Sequence, residues 1–560
     1  MKDVSSISTN VSENDVLFMI RPELEILNTV INIGTILHAV RRNAKKYLIF
    51  IPGENNDIIG HMLNTNVINN FFIKTLNFDL IPIDIDLLSL ERDNTLREIY
   101  IENNLSSIDD LACAFVKFEN CFGKVKYKYI KGDLAQNFCN SIEQKEKDMN
   151  FNNTDELLGM IVLDRSVDFL TLVCSNYTLE GLIDEKIGIN LGKVKIKESI
   201  LKEGMTKEPI NSNKSIPYGI TTKTNQFYCS FRIMHYLDAS RLIINIKDYY
   251  KKLASDDKKK NKNMSMSKLS ELTKDLNEFI TFKDKLIMLE NILNFIIKSV
   301  QGPNYLNYIE KEQLMLAGDL PKNLYSFYEE HLYEQRDLLT LIKLLVIESI
   351  TQNGVKDYQK LKREILNIYG YQNIFLFRDL ETIGWLKEKV FLNNILNIRK
   401  NITELNHNQI NEKLGLVNLN FDAQNIQDCS YVFGGYCPLS LRLIEAAVEG
   451  RWHKISDTLK KIQGFVAFPQ KENFIKEPEK DENIIVIVFL GGITYTEIEG
   501  IRYLNRKFNE EYLNKKRDKK MQFIIITTGI LNTKKIFGNF GNKESPSFTM
   551  KQFRDCLKIK

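Results

Sequence analysis

The stretch IVLDRSVDFLTLVCSNYTLEGLIDEKIGI, residues 161–189, opens as an apolar strand that ends in Asp-Arg, with a second aspartate at position 168. Together with the residues before it, LLGMIVLD (157–164) is apolar nearly throughout. Strands buried on both faces of a parallel sheet read this way, because neither face meets water. Such a strand needs parallel neighbours, and the far end of the chain supplies them. ENIIVIVFLGG (482–492) reads as a strand that turns, and MQFIIITTG (521–529) as another. Between them TYTEIEGIRYLNRKF (494–508) reads as a helix with a stripe at Ile498, Ile501 and Leu504. This unit is long enough for a right-handed crossover but too small to stand as a complete domain. The sequence therefore predicts that it rejoins the sheet begun at Leu157, and that the residues between are inserted.

The inserted part has a different texture. From about Phe231 to residue 400 strand patterns are few and helical ones are long. Residues 268–300 carry Leu269, Leu272, Leu276, Phe279, Phe282, Leu286, Leu289, Leu293 and Ile296 at three-and-four spacing, which implies helix-on-helix packing. Residues 331–354 read as a second helix, and 360–370 as a third that ends at Gly370. Before them, SDDKKKNKNMSMSK (255–268) has five lysines and little to bury, which suits a solvated linker better than a lipid- or phosphate-contacting patch. Upstream, residues 24–31 suit a helix with Pro22 near its start. KYLIFIP (46–52) reads as a buried strand, and DLIPIDIDLLSL (79–90) as a short strand running into a turn. Residues 193–224 look like an excursion from a sheet, and 143–156 like a linker.

Composition sets bounds. The chain has 560 residues, which implies two or three domains, and 43% hydrophobic with 26% charged residues marks a folded protein. A net charge of +4 gives no support to nucleic-acid binding. The eight cysteines form no CxxC pair and the six histidines are dispersed, so no zinc spacing or disulfide framework is legible, and a reducing compartment fits. The beginning of the sequence has no apolar signal-like core, and no run reaches the roughly 18 apolar residues of a membrane span.

Catalytic readings fare poorly. GxxxxGK[ST], GxSxG and HExxH are missing, and no GxGxxG follows an early strand. Asp164 and Asp168 are the best carboxylate pair for metal or acid–base work, at a strand end where α/β sites lie. Yet no nucleophile or histidine stands beside them, and FLTLVC continues as a packing run. The structural alternative is that Arg165 and the aspartates satisfy one another and the loop backbone. Gly434-Gly435 and Gly491-Gly492 read as tight turns. The segment 434–450, GGYCPLSLRLIEAAVEG, is either a packed helix start or a partner surface carrying Tyr436 and Leu439.

Taken together these segments resemble the Sec1/Munc18 family, and within it the vacuolar-sorting branch. The resemblance rests on Asp164, Arg165 and Asp168 with YTLEGLIDE (177–185), on FMIRPELE (18–25), LIPIDIDLLSLE (80–91), GGYCPLSLRL (434–443) and FLGGITYTEIEGIRYL (489–504). ESITQNG (348–354) and KREILNIYGY (362–371) point to the branch. It implies an α/β fold with a large, mostly helical insertion, in three domains around an arch. The expected division is residues 1–145 as a first α/β domain, 146–235 and 475–560 as two parts of a second, and 236–474 as the insertion. It also implies no enzymatic activity, cofactor or metal. The expected partners are SNARE proteins and a Vps16-like subunit of the HOPS and CORVET tethers, at late endosome, lysosome or vacuole membranes. Residues 268–354 are expected to meet the SNARE, with Tyr308, Glu312, Arg336 and Leu338 as placeholder contacts. By resemblance Tyr436 and Leu439 fall where the Vps16-like subunit is held, and Asp164, Arg165 and Asp168 brace the middle domain. The alternatives are a syntaxin binder acting outside a tether at plasma membrane or Golgi and, more remotely, an α/β enzyme using Asp164 and Asp168.

Overall fold

The structure, a computed structural model, describes residues 16–20, 27–28, 30–34, 45–50, 71–76, 79–147, 156–203, 214–260, 266–389, 406–422, 426–469, 482–514 and 520–541. Contacts divide the chain into two units, Met1–Ile81 and Pro82–Lys560.

In the first unit β1 (Val16–Ile20), β2 (Lys46–Phe50) and β3 (Phe72–Thr75) form a parallel sheet in that order. Alternation along β2 turns Leu48 and Phe50 inward, where they pack with Leu27, Val30 and Phe71. Leu27 and Val30 belong to the helix expected here, and residues 21–26 lie outside the described residues.

The second unit is built on a seven-stranded sheet. Its strands are β4 (Ile81–Asp84), β5 (Leu87–Ser89), β6 (Lys124–Lys131), β7 (Glu156–Asp164), then, after a separate antiparallel ribbon of β8 (Ile189–Asn190), β9 (Lys193–Lys197) and β10 (Ser215–Gly219), β11 (Val466–Ala467), β12 (Glu482–Leu490) and β13 (Lys520–Thr527). The order is β11-β6-β7-β12-β13-β5-β4. Strand β7 is central: Ile161 stands opposite Tyr129 of β6 on one side and Ile487 of β12 on the other, both parallel. The late strands thus rejoin the sheet begun at Leu157, as the sequence predicts. Met160, Ile161 and Val162 are fully buried, and each such side chain contributes about 1.5–3 kcal/mol.

One boundary differs. Residues 1–145 were expected to form a single domain, but β4, β5 and β6 pair in the larger sheet and the contact boundary falls after Ile81. Short apolar strands carry no mark of the sheet they will join, so periodicity could not separate them.

Helices α1 (Ser106–Phe122) and α2 (Asp133–Lys147) flank β6 in sequence, and α3 (Leu179–Lys186) follows β7. Helix α2 takes up the first part of the segment expected to be a linker, and residues 148–155 lie outside the described residues. The helical region contains α4 (Tyr236–Lys260), α5 (Met266–Val300), α6 (Pro303–Ala317), α7 (Leu324–Tyr333), α8 (Leu338–Thr351) and α9 (Tyr358–Tyr369). On α5 the expected stripe is buried at Leu286, Leu289, Leu293 and Ile296, whereas the side chains of Leu269 to Phe282 lie outside the described residues. The lysine-rich run is not all linker, because α4 continues to Lys260.

The single helix expected over residues 331–354 is two. The chain takes a left-handed turn at Gln335 (φ 48°), and Asp337 then caps α8 by accepting from the Thr340 N–H at 3.0 Å. A local cap outcompetes helix continuation there. Helix α9 ends as predicted at Gly370, whose φ of 98° favours glycine. Helices α10 (Leu439–Val448), α11 (Tyr495–Leu513) and α12 (Thr533–Asn539) complete the elements used below. Among the described residues no helix is long and apolar enough to cross a membrane.

Candidate functional site

The aspartates and arginine at the end of β7 sit in the interior. Asp164 is the last residue of the strand and Arg165 starts a short 3-10 turn. Asp164 caps that turn, accepting from the Ser166 N–H at 2.9 Å, and also accepts from the Leu134 N–H at 3.1 Å and from the Tyr100 hydroxyl. Burial, then the neighbouring Asp164, holds the Tyr100 phenol well above its usual range.

Arg165 is 1% exposed. Its Nη1 reaches both carboxylate oxygens of Glu497, at 3.0 and 2.8 Å, and Nη2 donates to the Asp168 carbonyl. Burial opposes the guanidinium charge, but Glu497 and Asp168 outweigh it and its pKa is raised. Glu497 is also the third residue of α11. It closes a capping box with Thr494, whose N–H donates to Glu497 at 3.1 Å while Thr494 Oγ1 accepts from the Glu497 N–H at 3.2 Å. Asp168 accepts from the Thr171 N–H at 3.2 Å and from the Ser440 N–H at 3.0 Å, and Ser440 Oγ donates to Glu497 at 2.6 Å. One buried network thus ties the end of β7 to the first turns of α10 and α11.

Backbone approaches this network closely at two glycines. A Cβ on Gly132 (φ 109°) would stand 2.1 Å from Asp164 Cβ, and one on Gly491 (φ 92°) would stand 2.9 Å from Arg165 Cβ. Beside Gly132, buried Lys131 donates to the carbonyls of Ile462, Gln463 and Gly464 at 2.8, 2.9 and 2.7 Å, and burial lowers its pKa to about 8.

Each aspartate is engaged by its own backbone donors, and what the network leaves unpartnered is Arg165 Nε and Thr171 Oγ1 rather than a carboxylate oxygen. A cavity of about 10 Å³, room for one water, lies nearby among Thr171, Asn176, Asp184, Thr494 and Thr533, and neither aspartate lines it.

The six expected partner contacts fall into two groups. Arg336 and Leu338 lie at the α7–α8 break, half-exposed, with Arg336 paired to Glu330 and Glu334 at 2.6 Å each. Tyr308 and Glu312 are buried on α6 rather than on the surface. Glu312 accepts from the Ser175 N–H at 2.6 Å and its hydroxyl at 2.8 Å, which joins α6 to the segment after β7. Its pKa is raised, burial outweighing the help of Lys343 and Ser175. The signal was in the sequence: Tyr308, Glu312 and Met315 share one helical face, and that face is the inner one. Tyr436 and Leu439 are buried too, at 3% and 5% exposure. Tyr436 bridges to Val417 and Phe433.

Sequence reasoning also missed a second ion cluster. Arg502 of α11 contacts Asp86 at 2.7 Å, Glu499 at 2.7 Å and Glu180 at 3.2 Å, while Arg232 contacts Asp84 at 2.6 Å. Burial, then the adjacent Glu499, pushes the Glu180 carboxyl well up. The only cue was the alternation of isoleucine and aspartate in IDID, residues 83–86, within an otherwise strand-like run.

With the geometry in hand, likeness to known proteins is specific. A sequence model described as the Sec1 family matches residues 2–539. A vacuolar protein-sorting-associated protein 33 homolog of Arabidopsis thaliana is 25% identical over 553 residues, covering 94% of this chain and 86% of the relative. The vacuolar protein sorting-associated protein 33A of Rattus norvegicus is 25% identical, covering 92% and 85%. Among solved structures, the Unc18–syntaxin 1 complex from Monosiga brevicollis matches with a TM-score of 0.55 at 14% identity, over 96% of this chain and 89% of that one. The protein Vps45 in complex with the Qa SNARE Tlg2 matches at 0.53 and 14%, over 93% and 85%. These structures share the fold.

Proposed function

The chain belongs to the Sec1 family, and from that premise we propose that it is a non-enzymatic, SNARE-binding regulator of membrane fusion. We further propose that it acts as the Sec1/Munc18 subunit of a HOPS- or CORVET-type tether, held by a Vps16-like subunit and recruited to late endosome, lysosome or vacuole membranes. The observation that carries the reading is the end-to-end likeness to relatives named for vacuolar protein sorting. The backbone donors that engage Asp164 and Asp168 agree with a bracing role for that signature rather than a reactive one.

The physical task suits a rigid helical scaffold. SNARE segments that fold as they bind lose entropy at that moment, and a preformed surface offsets part of the loss. On this reading the SNARE-facing residues within 268–354 are the exposed ones. Arg336, Leu338 and the 90%-exposed Tyr333 form the α7–α8 corner, whereas Tyr308 and Glu312 are buried on α6, with Lys343 of α8 over the Tyr308 ring. The turn carrying Tyr436 and Leu439 remains our candidate for holding the Vps16-like subunit, through the surface those buried side chains shape.

Purification of the chain at native expression, with partners identified by mass, tests the proposal. Recovery of a Vps16-like protein with SNAREs is expected. A syntaxin as the sole stable partner would replace the tether reading with that of a syntaxin binder acting alone, a reading to which the solved complexes of the shared fold lend some weight.

A further inference from the structure

Asp428, Cys429 and Cys437 bring a carboxylate oxygen and two sulfurs within 4.8 Å of one another. We propose that these three side chains form a binding site for a zinc-class divalent cation, which would clip the two ends of the Gly434-Gly435 turn together. Nothing in the proposal depends on SNARE or tether binding. The spacing, seven residues between the cysteines and no second pair, is why no metal motif is legible in the sequence there.

Four features of the structure favour an ion here. First, the distances suit tetrahedral zinc. Thiolates at about 2.3 Å and a carboxylate at about 2.0–2.2 Å from one ion stand roughly 3.3–3.8 Å apart, so only small side-chain adjustments are needed. Second, the carboxylate is already oriented. Asp428 accepts from the Ser430 N–H at 2.6 Å and from Arg442 Nη2 at 2.9 Å, one donor to each oxygen, and each oxygen keeps a lone pair for a metal. Third, charge closes. Two thiolates and one carboxylate carry −3, a divalent ion leaves −1, and the Arg442 guanidinium offsets it. Glu445, which also pairs with Arg442, has its own cation in Lys507 at 2.8 Å. Fourth, Tyr431 Oη, buried beside this turn, has no hydrogen-bond partner and is free to accept from a metal-bound water.

Both sulfurs are fully buried, while the Asp428 side chain is 29% exposed, which leaves the carboxylate side as the route for the ion and for a water as fourth ligand. Soft thiolates select zinc over magnesium or calcium. Cys437 Sγ now donates to the Pro438 carbonyl at 3.5 Å. Binding would deprotonate both thiols and release two protons to solvent while two metal–sulfur bonds form, with no change of oxidation state.

The test uses the reduced, metal-stripped full chain, titrated with zinc alone and separately with cobalt as a spectroscopic probe. One equivalent of zinc retained after dialysis and a cobalt–thiolate charge-transfer band are expected. C429A and C437A should lose both signals, and Cys113→Ser should keep them. Asp428→Asn preserves the turn's cap, so it should fold normally yet bind zinc at least tenfold more weakly. If an alanine variant fails to fold, the wild-type cobalt spectrum and D428N decide the matter. Wild type without retained zinc, zinc retained equally by D428N and C437A, or a chain two mass units lighter with Cys429 and Cys437 joined and no zinc bound would each overturn the site.

Discussion

Arg165 and Glu497 are 332 residues apart in sequence and meet in the interior, one guanidinium nitrogen contacting both carboxylate oxygens at 3.0 and 2.8 Å. Neither charge reaches water. A buried pair of this kind contributes little against an apolar pair of equal volume, but stranding one member costs about 3–5 kcal/mol. Glu497→Leu and Arg165→Met should each destabilise by that amount in denaturant melts. The double variant Arg165→Met with Glu497→Leu should recover more than half of the loss. Strict additivity of the single effects would disprove the coupling.

Gly132 lies against Asp164 with a positive φ. Alanine there meets both a strained backbone and a side chain it cannot displace without breaking the Asp164 cap. Gly188 has a similar φ of 96° but open space around it. Gly188→Ala should cost about 1 kcal/mol from backbone strain alone. Gly132→Ala should cost at least twice as much in the same thermal assay, and equal costs would mean that the contact with Asp164 is soft.

Glu348 is buried on α8 and accepts from the Tyr328 hydroxyl at 2.8 Å. Burial raises its pKa from 4.5 to about 7. Between those values the folded chain holds a proton that the unfolded chain has released, so the group's contribution falls as pH rises and is fully unfavourable above about pH 7. Glu348→Gln should therefore match wild type near pH 4.5 and exceed it at pH 8, by up to about 3 kcal/mol. A pH-independent difference between the two melting curves would count against the shift.

Tyr436 is buried and its phenol is held well above the usual range by burial, then by Asp168. An aspartate at that position places a charge where none can be solvated, so Tyr436→Asp should lower stability by several kcal/mol as well as partner recovery. Leu338→Asp and Arg336→Glu, at a half-exposed corner, should leave the melting temperature nearly unchanged while weakening SNARE capture. Normal SNARE binding by both would move the contact elsewhere on the helical region.

How far the sequence could be read depended on whether a feature was local. The strand at Leu157, the described half of the stripe on α5 and the Gly370 stop are local patterns, and each is present in the structure. The rejoining of β12 to β7 was inferred by elimination, since a lone crossover unit has nowhere else to bury its strands. Assigning β4 to β6 to their sheet needed pairing information that no single strand carries. The burial of Tyr308, Glu312, Tyr436 and Leu439 was hidden for another reason. A tyrosine and a glutamate on a helix read as surface chemistry, but Glu312 is turned inward and satisfied by Ser175, a residue 137 positions away. The three ligand atoms around Cys429 are likewise brought together by a turn whose geometry depends on two glycines with positive φ.

The placement of β7 between β6 and β12 has a consequence for biosynthesis. When the ribosome has delivered β6 and β7, the edge of β7 meant for β12 still lacks its partner, because Gly159 must wait for Ile485. More than three hundred residues, including the helical region, emerge while that apolar edge stays open to pairing with another chain. Premature termination before residue 482 should therefore yield aggregates rather than a smaller working protein. On this order of synthesis the edge of β7 needs shielding until residues 482–490 have emerged.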